Sequence, residues 1–270
     1  MSFNPSDEFD LSNWKQYEDL FTESLWIIGS RDSSGVHNSS YHGNFVPQIP
    51  NQLIRRFTKF NEIIIDPFLG SGTTLIEAKR LGREGIGIEL IGDVARHAKQ
   101  QIAKQTTDYD VARHQKVLTG DAGSATVFNK VLEITKNKKP TLLILHPPYH
   151  DILKFSDNPR CLSNCHSLDE FITRFTESTQ PYVNILPNRA HVALIIGDKY
   201  SNSELIPLGF VTSSAFQRCN PRIRLKSIVV KNMVNSKGKQ GKQQLWRYRS
   251  FRNGIYTFAH EYIFIFEVFR

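Results

Sequence analysis

Residues 63–90, IIIDPFLGSGTTLIEAKRLGREGIGIEL, read as a buried strand, a glycine-rich turn, a helix and a second strand ending in a carboxylate. Ile63, Ile64 and Ile65 form a short β-branched run of the kind found inside a parallel sheet, and Asp66 falls where that strand ends. Open α/β folds bind their ligands at this edge. Gly70 and Gly72 let the backbone turn sharply beside a ligand, and Ser71, Thr73 and Thr74 are placed to cap the following helix. Glu89 closes the next strand, where a carboxylate can accept hydrogen bonds from both hydroxyls of a ribose. The stretch predicts a pocket for a nucleoside-containing ligand.

The turn has no Gly-Lys-Ser/Thr, and its glycines do not fit GxGxxG, so it is neither a phosphate loop nor a dinucleotide fingerprint. Asp66 at its mouth would repel a pyrophosphate and attract a cationic amino-acid moiety, which suits S-adenosylmethionine with its sulfonium and ammonium groups.

A second signal follows the apolar run 141–145, TLLIL, where the chain continues His146-Pro147-Pro148-Tyr149. Two prolines directly after a buried strand fix an extended backbone and hold the next aromatic rigidly at the sheet edge. At these residues the chain resembles the amino-group DNA methyltransferases, which methylate N6 of adenine or N4 of cytosine and carry a (D/N/S)PP(Y/F/W) motif there. DPFLGSGTT resembles the same family's cofactor loop. The resemblance runs from about Tyr41 to the C-terminus, and the two loops are its specific parts.

The resemblance implies S-adenosylmethionine as cofactor and double-stranded DNA as partner. It assigns His146, Pro147, Pro148 and Tyr149 to the flipped base, with the first side chain and a prolyl carbonyl accepting hydrogen bonds from the amino group and the ring stacking on the base. It assigns Phe45, Val46 and Pro47 to the methionine end of the cofactor. Asp66, Pro67, Phe68, Gly70, Ser71, Gly72, Thr73 and Thr74 fall in the cofactor loop, Glu89 and Leu90 at the ribose, and Asp121 and Ala122 near the adenine. The departure from the family is His146, where Asp, Asn or Ser is usual. A neutral imidazole accepts one hydrogen bond through its unprotonated nitrogen, so the role is retained and becomes pH-sensitive. The target base stays open between N6 of adenine, which we favour, and N4 of cytosine. An RNA methyltransferase and a catalytically silent DNA-binding module are the other readings. No proline-cysteine nucleophile of the C5-cytosine type is present.

The chain has 270 residues and a formal net charge of +8, and a pI near 9.4. That length suffices for one large α/β unit. The distribution of charge is more telling than the total. No acidic residue lies between Glu204 and Glu261, whereas Arg218, Arg222, Arg224, Lys226, Lys231, Lys237, Lys239, Lys242, Arg247, Arg249 and Arg252 all do. Of these, Arg222, Arg224, Lys237, Lys239, Lys242, Arg247, Arg249 and Arg252 are the expected nucleic-acid contacts, within a basic segment at about 218–255 interleaved with Trp246, Tyr248 and Phe251.

Cys161, Cys165 and Cys219 form neither a disulfide framework nor a four-ligand zinc spacing, so no metal is expected. The N-terminus MSFNPSDEFD has no signal-peptide character and no apolar run approaches a membrane span. The expectation is a cytoplasmic protein. A cognate restriction enzyme and a homodimer are the protein partners left open.

Residues 1–40 read as a leader, with Trp26 docking on the single methyltransferase domain formed by residues 41–270. The prolines of 41–50 are expected to hold off a helix until Asn51. Further along, 92–106 and 168–186 have helical spacing, while 116–122, 191–198, 227–233 and 260–268 read as strands. The alternation predicts a Rossmann-like, doubly wound, mostly parallel sheet of about seven strands.

Overall fold

The triple isoleucine becomes the wholly buried strand β2, Ile63–Asp66. It sits inside the sheet because both its faces are apolar. Ile63 and Ile65 pack into one core cluster with side chains of residues 125–134, 168–185 and 208–219, and Ile64 packs into a second with Ile49, Leu53 and Ala78. Each such side chain contributes roughly 1.5–3 kcal/mol on burial. The computed structural model describes residues 11–37, 41, 43–110, 114–150, 153–201, 204–233 and 243–269.

Numbered in chain order, the remaining strands are β1 Leu25–Trp26, β3 Glu84–Glu89, β4 Gln115–Thr119, β5 Pro140–Leu145, β6 His191–Ile196, β7 Lys199–Ser201, β8 Glu204–Ile206, β9 Ile223–Asn232 and β10 His260–Val268. The helices are α1 Gln48–Phe57, α2 Thr73–Arg80, α3 Gly92–Lys104, α4 Ala125–Ile134, α5 Leu168–Ile185, α6 Leu208–Cys219 and α7 Gln243–Asn253. Among the described residues the main sheet has eight strands in the order β1-β9-β10-β6-β5-β2-β3-β4, and β7 and β8 form a separate hairpin. β4, β3, β2, β5 and β6 run parallel, while β10 is antiparallel to both of its neighbours. This is the doubly wound α/β architecture that the sequence predicts. The C-terminal ends of the parallel strands, the end of β9 and the start of β10 therefore share one edge.

The structure departs from the sequence reading in four places. The eighth strand comes from the leader: Leu25 and Trp26 pair in parallel with Val230 and Lys231, and Trp26 is buried in the second core cluster. α1 begins at Gln48 rather than Asn51. Pro50 lies in its first turn, where a missing N–H breaks no intrahelical bond. No hydroxyl caps α2. Its N-cap is Gly72 at φ 96°, in the left-handed region, and an added Cβ there would lie 3.3 Å from Ala98 and Ile102 of α3. Finally, residues 243–253 form α7. The sequence did not announce it because its larger apolar residues, among them Leu245, Tyr248 and Phe251, are exposed and mark no buried face.

Candidate functional site

The common strand edge is hollowed into a cavity of about 860 Å³. The half in which the sequence reading places the cofactor is built by the turn after β2 and the end of β3. Glu89 Oε2 accepts from the Gly70 N–H at 2.9 Å, and Oε1 accepts from the Ile91 N–H at 2.8 Å. Burial pushes the Glu89 carboxyl up to about 7 despite these backbone donors. Pro67, Phe68, Gly70, Ser71, Thr73, Glu89, Leu90, Asp121 and Ala122 line the cavity, as do Phe45 and Val46.

Four of the expected cofactor residues do not line it. Asp66 is buried, taking the Thr74 hydroxyl at 2.5 Å and the Phe68 N–H at 2.9 Å, and burial raises its carboxyl to about 6. These bonds turn Asp66 and Thr74 inward as the brace of the loop, so the hydroxyl that would have capped α2 is spent on the carboxylate. Gly72 supplies the turn and its packing against α3. Pro47 is the N-cap of α1. Thr73 likewise donates to the Asn44 side chain instead of capping. Asp121 follows β4, with Oδ1 accepting from the Gly123 N–H at 2.9 Å and Oδ2 lying 3.8 Å from Arg160.

The second half of the cavity is carried by the end of β5. His146, Pro147, Pro148 and Tyr149 all line it. The His146 ring lies 4.8 Å from Phe45 and 5.9 Å from Tyr149, centroid to centroid. Desolvation lowers the imidazole to about 4. The pH sensitivity expected of a histidine in this motif is thereby moved out of the neutral range, because a half-buried ring in the cavity wall is poorly solvated and does not easily take a proton. Burial, followed by the charge of Glu261, pushes the Tyr149 phenol well up.

The segment after the motif is anchored by Lys199. Its Nζ donates to His150 Nδ1 at 2.9 Å and to the His150 carbonyl at 3.1 Å. An ammonium only donates, so Nδ1 is the acceptor and Nε2–H is left to donate to the Cys165 carbonyl at 3.2 Å. Above the cavity, Phe155 approaches Gly43 so closely that a Cβ there would fall 2.8 Å from the ring. Gly43 also sits at φ 80°.

Sequence reasoning missed part of the wall. Ile28, Gly29, Ser30 and Arg31 of the leader line the cavity, as do Lys231, Asn232 and Met233 from the end of β9 and Glu261 from β10. The leader is tied there by Asn232, which accepts from the Ile28 N–H at 2.7 Å and donates to its carbonyl at 3.1 Å. The His-Glu-Tyr opening of the last strand was the available signal for Glu261.

The expected nucleic-acid contacts divide. Arg247, Arg249 and Arg252 lie on α7, which falls in sequence between Met233 and Glu261, two residues of the cavity wall. Arg247 stacks on Phe251 at 5.0 Å and Arg249 on Trp246 at 5.3 Å. Arg222 and Arg224 stand at the opposite edge, at the start of β9. Arg222 donates to the carbonyls of Asn184 and Leu186 at the end of α5, and Arg224 stacks on Phe269. The structure does not bring these two to the cavity, because β9 runs away from them along the sheet. Lys237, Lys239 and Lys242 lie outside the described residues. Among the described residues, no helix is long and apolar enough to cross a membrane.

Comparison with known proteins adds to this geometry. A sequence model of the family described as DNA methylase matches residues 5–100. The Type II methyltransferase M.MjaII of Methanocaldococcus jannaschii is 34% identical over 103 residues, 38% of this chain and 17% of the relative. The Type II methyltransferase M2.LlaDCHI of Lactococcus lactis subsp. cremoris is 34% identical over 102 residues, 36% of this chain and 35% of the relative. The matched region is thus about a third or less of these relatives' length. For the fold, the crystal structure of TrmN from Thermus thermophilus superposes with a TM-score of 0.50 at 16% identity, covering 83% of this chain and 49% of that one. Through residues 5–100 the chain is similar to the family described as DNA methylase and to these Type II methyltransferases.

Proposed function

We propose that this protein transfers a methyl group from S-adenosylmethionine to the exocyclic amino group of a base flipped out of double-stranded DNA. The observation that carries the reading is that one cavity is lined both by the loop after β2 with Glu89 and by His146-Pro147-Pro148-Tyr149 after β5.

The cofactor half fits a cationic nucleoside. It presents the carboxylates Glu89 and Asp121 beside the apolar Phe68, Leu90 and Ala122, and the loop 66–74 holds no basic side chain that would mark a phosphate site. Glu89 would hold the ribose hydroxyls, Asp121 the adenine amino group, and Phe45 and Val46 the methionine end. Bound there, S-adenosylmethionine supplies an electrophilic methyl group on a sulfonium.

An exocyclic amino nitrogen is a poor nucleophile because its lone pair is delocalised into the ring. His146, kept neutral by burial, accepts one amino hydrogen, and the Pro147 carbonyl accepts the other. Both bonds favour a pyramidal nitrogen whose lone pair is aimed at the methyl group, so alignment supplies much of the rate. Tyr149 stacks on the extruded base and offsets part of the few kcal/mol of unpairing. N6 of adenine and N4 of cytosine offer the same pair of hydrogens. We take N6 of adenine as the target, following the family resemblance.

Incubation with labelled S-adenosylmethionine and duplex DNA, followed by digestion to nucleosides, should yield N6-methyladenine. N4-methylcytosine in its place would move the target base. Equal or stronger labelling of RNA would replace the substrate class. Tyr149→Ala should nearly abolish transfer, and retained activity would remove the stacking role.

A further inference from the structure

Lys231 and Glu261 form an ion pair on the cavity wall, with Nζ and Oε1 2.8 Å apart and side chains only 7% and 9% exposed. They are directly opposite in the β9–β10 ladder, so backbone register places both side chains on one face of the sheet. That is the face of His146 and Phe45: Val229, Ile263 and Ile265, two residues or four along the same strands, pack in the core cluster that holds Phe45 and Ile144. The other Glu261 oxygen accepts from the Tyr149 hydroxyl at 3.3 Å.

The Tyr149 ring reaches this carboxylate across the end of β6. Gly197 lies beneath it, where a Cβ would stand 3.5 Å from Tyr149 Cε2 and 3.7 Å from Glu261 Cβ. A hydroxyl held at its far end and a backbone fixed by two prolines restrain the ring from both sides. A buried ion pair is a poor device for stability, since desolvation offsets much of its attraction. Beside the expected base platform it has a use.

We propose that Glu261, held by Lys231, is a positioning residue that fixes the Tyr149 ring as the preformed stacking surface for the target base. The proposal rests on the methyl-transfer reading above. It places the anchor on the last strand of the sheet, more than a hundred residues beyond the motif it serves.

The test compares wild type with Tyr149→Phe, Glu261→Gln and the double variant, once the methylated site has been mapped. Labelled-methyl transfer is measured alongside the fluorescence of 2-aminopurine placed at or next to the target, which brightens when the base leaves the stack. Each single substitution should lower kcat/KM for DNA and the fluorescence rise, with transfer falling about tenfold. Affinity for S-adenosylmethionine, measured by calorimetry, should stay at the wild-type value. Since Tyr149→Phe removes this bond and Glu261→Gln weakens the same bond by putting a neutral amide in place of the carboxylate, the double variant should be no worse than the weaker single. Wild-type flipping by Tyr149→Phe, or losses that multiply in the double variant, would overturn the proposal. Tyr149→Phe keeps the ring and reads the same bond should Glu261→Gln fail to fold. Absence of transfer by the wild-type chain would overturn the underlying reading, whereas an active wild type with insensitive variants overturns only the role of Glu261.

Discussion

The Gly70 N–H donates to the Glu89 carboxylate at 2.9 Å, which joins the turn after β2 to the end of β3. The Ile91 N–H completes the link on the other oxygen. Glu89 therefore shapes this half of the cavity and also presents its carboxyl group there. Glu89→Gln should weaken S-adenosylmethionine binding about tenfold or more, the usual scale for losing charge-assisted hydrogen bonds. Calorimetric titration of the variant checks this, and wild-type affinity would show that the ribose is held elsewhere.

The same carboxylate makes the ligand-free protein's stability depend on pH in a defined direction. Burial raises Glu89 from 4.5 to about 7, so between those values the folded state holds a proton that the unfolded chain has lost. Its contribution to stability falls as pH rises through that window and is constant above it. Glu89→Gln cannot ionise. Its stability relative to wild type should therefore increase between pH 5 and pH 8 by on the order of 3 kcal/mol. Thermal melts of both proteins at the two pH values measure the difference, and a flat difference would show that Glu89 titrates normally.

His146 leads to a different profile. An ordinary imidazole would gain a proton near 6.5 and lose its acceptor, but burial lowers this one to about 4. With S-adenosylmethionine saturating, so that Glu89 does not limit binding, kcat at pH 5.5 should remain within about twofold of its value at pH 7.5. A loss centred near 6.5 in single-turnover rates would mean that the ring is solvated when DNA is bound. His146→Ala should lower the rate at every pH.

What the sequence disclosed and what it withheld have separate physical causes. The run Ile63–Ile65, the turn to Thr74 and the strand ending at Glu89 are local patterns, in which apolar periodicity and turn chemistry act within a few residues. The motif 146–149 was readable for the same reason. The Lys231–Glu261 pair is not local: it exists only through the register of β9 against β10. Asp66 was read as facing a ligand because its hydroxyl partner, Thr74, lies eight residues on and turns it inward. Likewise β1 is two residues long and has no pattern of its own until β9 offers its edge.

The basic segment shows the same distinction and yields the last prediction. In the sequence it is one continuous run of positive charge, but β9 carries that run along the sheet and separates its ends. Arg222 is engaged with the end of α5 and Arg224 with Phe269, while Arg247, Arg249 and Arg252 stand on α7, which falls in sequence between Met233 and Glu261 of the cavity wall. A phosphate contact releases counterions, so each one lost should flatten the dependence of log K on log salt concentration by about 1. Arg247→Ala, Arg249→Ala and Arg252→Ala should each do so for duplex DNA, and the triple substitution should flatten it by about 3. Arg222→Ala and Arg224→Ala should leave the slope at the wild-type value. Fluorescence anisotropy across a salt series reads both sets. If instead the β9 pair changes the slope and the α7 residues do not, DNA lies across the opposite edge of the sheet, and a base flipped from it could not reach His146 and Tyr149.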